Sequence, residues 1–149
     1  MILLLLHAAA TVYMAAIAWF VQIVHYPLMH RVGMTRFQEY ERGHARRSSL
    51  VVTPVMLFEL ITGLWLALDP PQVVGEPPML MNAVLLGVLW LSTLGVQRPL
   101  HRALAGGYDE GKVKRLVATS WVRTAGWTLR ALLLVALLVI FAEGLGTGG

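Results

Sequence analysis

The run Leu50 to Leu68, LVVTPVMLFELITGLWLAL, does most to limit what this chain can become. It is long enough to cross a bilayer as a helix, since about 20 apolar residues at a 1.5 Å rise match a hydrocarbon core roughly 30 Å thick. It also carries a carboxylate, Glu59, where such a helix is least able to hold one. Counted from Ser49, Glu59 lies about 15 Å deep, near the midplane. An ionisable group at that depth has to face other protein and pair there, so this helix cannot stand alone in lipid. The run therefore demands a bundle, and Glu59 marks the first candidate site within it.

Three further runs supply the partners: Ile2 to Val24, Met79 to Val96, and Thr124 to Phe141, the last interrupted by Arg130. With 57% hydrophobic and 13% charged residues and a mean hydropathy of +0.67, the 149-residue chain is too apolar to be solvated as a globule and short enough for one domain. We read it as all-α, a four-helix transmembrane bundle occupying 1–143, with spans at about 2–24, 50–68, 79–96 and 124–141 and a flexible glycine-rich tail at 144–149. No basic segment precedes the first run and its apolar stretch exceeds the usual signal-peptide core, so it is read as a retained helix. The absence of cysteine excludes disulfides, thiolate metal sites and cysteine nucleophiles.

Charge orients the spans. Arg31, Arg36, Arg42, Arg46 and Arg47 lie between the first two runs, and Arg98, Arg102, Lys112, Lys114, Arg115 and Arg123 between the last two; the middle connection DPPQVVGEPP has no basic residue. The positive-inside rule makes both basic loops cytoplasmic and puts both termini on the other side. A net charge of +4 distributed in this way reports topology, and no nucleic-acid partner is expected. Both loops are expected to be partly helical, one opened by a capping box of Thr35 and Gln38, the other capped by Asp109.

The two basic hairpins also resemble each other. An offset of 71 residues pairs Trp19 with Trp90, His30 with His101, Phe37 with Tyr108, Glu39 with Glu110, Ser49 with Ser120 and Thr53 with Thr124, while Pro27 and Pro99 match with a one-residue slip. We read a duplicated hairpin whose halves are related by a pseudo-two-fold axis along the membrane normal. The same offset sets Glu59 against Arg130, the two charges within spans, and these are of opposite sign.

Helical spacing gathers the remaining polar residues onto stripes: Gln22 with His25, Thr53 with Glu59, Asn82 with Thr93 and Gln97, and Arg123 with Arg130. Most lie toward the basic loops, so a cavity is expected there, with Pro54 freeing a carbonyl near its mouth. Glu59, Arg130 and Arg123 are the candidate catalytic residues: the carboxylate as base or ligand, the arginines for an anionic group or developing oxyanion. His25 and His101 share a predicted depth and are the pair nominated for a bis-imidazole haem; His25, His44, Glu59 and His101 are the nominated metal ligands. His7 is expected near the opposite surface, where it could bind something only on that side, and whether it takes part in a site stays open. The cofactor stays open between haem, a divalent metal and none.

The segments QIVHYPL (22 to 28), FQEYERGHARR (37 to 47), VVTPVMLFELITGLWL (51 to 66), QRPLHRAL (97 to 104) and WVRTAGWTLR (121 to 130) resemble an uncharacterised family of small bacterial four-helix integral membrane proteins, across nearly the whole chain. More distantly, the size and plan are similar to the anthrone oxygenase-like membrane proteins. The four-helix bacterial protoporphyrinogen oxidase is similar through a first-span histidine, here His7, and through Thr53, Pro54, Met56 and Thr62 to Leu66; Asn82 stands near that family's third-span lysine. These resemblances imply residence in the bacterial inner membrane and a haem- or metal-dependent redox or oxygenase-type enzyme acting on an apolar small molecule. The alternative is a non-catalytic membrane subunit or lipid-binding module in which Glu59 and Arg130 only set packing. The oligomeric state stays open.

Overall fold

A computed structural model describes residues 1–146 and contains four long helices, each apolar enough to cross a membrane: α1 (Ile2–Met29), α2 (Met34–Leu68), α3 (Glu76–Leu104) and α4 (Glu110–Gly146). Each packs on its neighbours in chain order, and α4 closes the ring against α1, leaving α2 and α4 to face each other across the centre. The outside is apolar, with Leu50, Ile61, Leu91 and Leu132 well exposed, as lipid-facing positions should be. Polar atoms go inward instead: His7, Thr11, Glu59, Asn82, Thr124 and Arg130 are buried.

The predicted duplication is visible in the backbone. In α1 the α-helix gives way to a π turn at Val21–His25, and in α3 to another at Thr93–Gln97, each just before a proline, Pro27 or Pro99. Proline has no N–H to donate and crowds the preceding turn, and a wider turn absorbs both defects without breaking the helix. Phe37 meets its repeat mate Tyr108 edge-on, with centroids 4.9 Å apart. Three apolar layers fill the bundle: Leu4, Leu66, Met79 and Leu134 far from the basic loops, Met14, Met56, Leu89 and Trp127 near the middle, and Tyr26, Phe37, Leu104 and Leu116 at the basic end.

The loops are shorter than the spans suggest because the helices run on. α2 begins at Met34, capped by the backbone of Gly33 with no side-chain hydrogen bond, so the predicted Thr35–Gln38 capping box does not form; Thr35 already lies inside the helix. Gln38 and Arg42 instead donate to the carbonyls of Gly106 and Ala105 (both 3.1 Å), just past the C-terminal end of α3, where carbonyls lack helical partners. The Asp109 cap does form, its Oδ1 accepting from the Lys112 N–H at 2.9 Å. The expected tail at 144–149 starts as helix through Gly146, and residues 147–149 lie outside the described residues.

Candidate functional site

At the bundle centre Arg130 Nη1 meets Glu59 Oε1 at 2.7 Å, with both side chains fully buried, so the predicted pairing of the two in-span charges is correct. The network around them is closed. Glu59 also accepts from Thr11 Oγ1 (2.7 Å) and Trp127 Nε1 (3.0 Å), and Arg130 Nε donates to Asn82 Oδ1 (3.0 Å). The partners obey the repeat: Thr11 and Asn82 are themselves 71 residues apart, so each hairpin supplies its own charge with a polar mate from its own first helix.

His7 belongs to this network, a part the sequence left open. Its Nε2 accepts from Arg130 Nη2 (3.2 Å) and faces the Asn82 amide nitrogen at 3.1 Å; its Nδ1 lies 2.7 Å from Thr62 Oγ1. Arg130 offers only donors, so Nε2 must be the acceptor and Nδ1 carries the proton. With both ring nitrogens engaged and no exposure, His7 has no free position for haem iron.

The predicted cavity lies at the basic end and measures about 760 Å³, within the range of small-molecule sites. His25, His44, His101 and Arg123 line it, as do Thr53, Thr93, Gln97 and Trp127; Glu59 and Arg130 do not. Trp127 separates the two regions, its indole N–H on Glu59 and its ring 5.1 Å from the Arg123 guanidinium carbon. The two π turns border the cavity through Val21, His25, Thr93 and Gln97, so the widened helices shape its wall.

The histidines cluster, but not as ligands of one ion. His25 stacks on His44 at 3.8 Å between ring centroids, and His44 lies 5.8 Å from His101. His44 thus intervenes between the nominated haem pair, and His25 Nδ1 is taken by Tyr40 Oη (3.2 Å), an arrangement that does not fit a porphyrin held by His25 and His101. Glu59 is committed to Arg130, so it does not join His25, His44 and His101 as a metal ligand; among the described residues no group of three His, Asp or Glu is arranged to hold an ion. The carboxylate that sequence reasoning missed is Glu41: it is fully buried and its Oε1 lies 2.5 Å from His101 Nδ1. Glu41 sits between Gln38 and Arg42, whose bonds to Gly106 and Ala105 hold this stretch of α2 against the end of α3. It lies in a polar loop by hydropathy, and only the helical run-on from Met34 brings it inward.

The two regions differ most in satisfaction. Several buried polar atoms lack a hydrogen-bond partner among the described residues, and five of these belong to residues lining the cavity: His25 Nε2, Trp90 Nε1, Thr93 Oγ1, Gln97 Oε1 and Arg123 Nε. Such atoms call for water or a ligand. Arg123 also has no acidic partner among the described residues. Comparison with protein-family models, with curated proteins and with solved structures finds no match.

Proposed function

We propose that this integral membrane protein takes an apolar organic acid, or an apolar molecule that becomes an anion in reaction, into the cavity at its basic end, with Arg123 holding the anionic oxygen. The observation that carries the reading is an arginine without a counter-ion among the described residues, in the wall of a cavity whose other lining includes Met14, Val52, Met56 and Leu94. An uncompensated cation in low dielectric costs several kcal/mol, and an anionic ligand offsets that cost. Charge-assisted hydrogen bonds to a carboxylate add about 1.5–3 kcal/mol. The redox or oxygenase expectation enters this reading through the substrate class alone. Glu59 and Arg130 move from the catalytic role to a structural one.

The test is calorimetric titration of the detergent-purified protein with 2-naphthoate and with its neutral amide. Naphthoate is expected to bind, the amide at least tenfold more weakly, and Arg123→Gln to lose about tenfold or more in naphthoate affinity. Equal affinity for acid and amide, or an unchanged Arg123→Gln titration, would sink the proposal.

A lipid occupant is the second reading, favoured by Arg42, Arg47, Arg98 and Arg102 in the cavity lining, cations suited to an anionic headgroup. Mass spectrometry of lipid extracted from the purified protein separates the two. Stoichiometric anionic lipid, lost on Arg123→Gln, supports the lipid; its absence together with naphthoate binding supports the soluble acid.

A further inference from the structure

We propose that Glu41 and His101 form a general base facing the cavity, and that the molecule bound there is a carbon acid, losing a proton from carbon next to a carbonyl while Arg123 receives the negative charge on oxygen. The inference rests on the cavity reading above and adds a reaction to it.

Three observations lead to it. The Glu41 carboxylate can only accept, so the His101 Nδ1 beside it carries the proton, and in the neutral imidazole the lone pair is then on Nε2. That Nε2 has no hydrogen-bond partner among the described residues, and the His101 side chain keeps 20% of its surface accessible beside the cavity, whereas Glu41 has none. A fully buried carboxylate is costly to keep, and Oε2 of Glu41 has no hydrogen-bond partner among the described residues. Its one strong contact is His101 Nδ1, and orienting an imidazole is what such a contact does.

The neighbouring histidines do not share this arrangement. His25 points Nδ1 at Tyr40 Oη, and His44 lies against Ser48 Oγ at 3.3 Å, so neither has a carboxylate to set its tautomer. The duplication sharpens the contrast. The repeat mate of Glu41 is Lys112 and that of His101 is His30, which is exposed, so the dyad exists on one side of the pseudo-axis only. The repeat positions 59 and 130 meet each other in an ion pair at the bundle centre, whereas the dyad at the cavity has no counterpart across the axis.

The step balances without an oxidant. His101 Nε2 takes the proton, the C–H bond breaks, and its electron pair moves through the carbon–carbon bond to the carbonyl oxygen, giving an enolate whose oxygen faces the Arg123 guanidinium. Return of a proton from Nε2 regenerates the ketone, and in heavy water the returning particle is a deuteron. His101 is the catalytic residue in this scheme, Arg123 the oxyanion partner, and Glu41 a positioning residue.

The probe is 2-tetralone, an apolar ketone with acidic C–H bonds, whose deuterium uptake in heavy water is followed by NMR in the presence of the detergent-purified protein. The parent is expected to accelerate exchange at least about a hundredfold over buffer with detergent, in the range general-base catalysis supplies. His101→Ala should lose nearly all of that, and added imidazole should restore part of it. Glu41→Gln should lower kcat at least about tenfold with KM nearly held, and Glu41→Asp should recover part of the loss. Because a variant can fail by misfolding, the parent supplies its own control: 2-naphthoate filling the cavity should suppress the exchange. If the parent exchanges tetralone no faster than His101→Ala, if imidazole restores nothing, or if naphthoate does not inhibit, the dyad is not a base. Naphthoate titration of the parent keeps the two ideas apart, since binding through Arg123 without exchange overturns this inference and leaves the cavity reading standing.

Discussion

Replacing Glu59 with Gln would leave the Arg130 guanidinium in low dielectric without its counter-ion, and Arg130→Gln would do the reverse, each at a cost of about 3–5 kcal/mol. The double replacement removes both charges. It is expected to recover part of the loss only, because Arg130 uses three separate nitrogens for Glu59, Asn82 Oδ1 and His7 Nε2, and the single amide nitrogen of Gln does not replace them all. Thermal unfolding of the parent, both singles and the double in one detergent gives the coupling, and strictly additive losses would contradict the direct contact. Since neither residue lines the cavity, the double variant should bind 2-naphthoate within about threefold of the parent, as separated sites do. The pairing was legible in the sequence through a shared offset and opposite charge. The place of His7 was not, because counting residues from Ile2 gives the depth of its Cα and ignores the reach of an arginine. His7 and Thr62 share a level nearer the end of the bundle, Glu59 lies about one turn deeper, and the Arg130 side chain spans the difference.

At the scale of elements, close approach of helices depends on Gly63 of α2 and on Gly126 of α4, where a built Cβ would lie 2.7 Å from Leu89 Cδ2. A Cβ on Gly63 of α2 would lie 2.8 Å from Leu86 Cδ2 and 3.1 Å from His7 Cε1, so Gly63→Ala must displace the ring that Thr62, Asn82 and Arg130 hold in place. We expect a loss of about 1–3 kcal/mol from overpacking, read as a lower Tm. Gly87 in α3 has nothing within 4 Å of a built Cβ, so Gly87→Ala should be neutral or stabilise by up to about 1 kcal/mol through helix propensity. Equal effects of the two would mean that α1, α2 and α3 do not pack this way. At the start of α4, the Lys112 backbone N–H, and then its ammonium, hold the Asp109 carboxyl below its ordinary value. A lowered value means the cap contributes above the ordinary carboxylate range and is lost as pH falls through the lowered one. Protection against hydrogen exchange at Gly111 and Lys112, taken relative to the intrinsic rate at each pH, should therefore fall on acidification in the parent but not in Asp109→Ala. The helix run-ons explain why this end was read less fully than the spans: hydropathy marks where lipid begins, whereas a helix stops only where its caps and backbone stop it.

For the whole molecule, orientation decides which compartment feeds the cavity. The cavity is lined by Arg42, Arg47, Arg98 and Arg102 near the basic ends of α2 and α3, so it belongs to that end of the bundle. Bundle architecture and duplication could be read from apolar run lengths and a constant offset because lipid and backbone hydrogen bonding leave few alternatives. The occupant could not, since an unpaired Arg123 and a buried Glu41 emerge only when four helices are assembled. We infer from the basic residues that this end faces the cytoplasm, as short loops rich in Arg and Lys are retained there. Reporter fusions at Gln72 and Gly106 test it, the first expected outside and the second inside. The charge argument makes a further demand, because Gln72 sits in a connection without any Lys or Arg. Introducing several lysines around Gln72 while neutralising Arg31, Arg36, Arg46 and Arg47 should produce molecules of mixed or inverted orientation. A Gln72 fusion that stayed outside in that variant would mean that something other than the basic loops sets the topology, and the cytoplasmic origin of the ligand would lose its support.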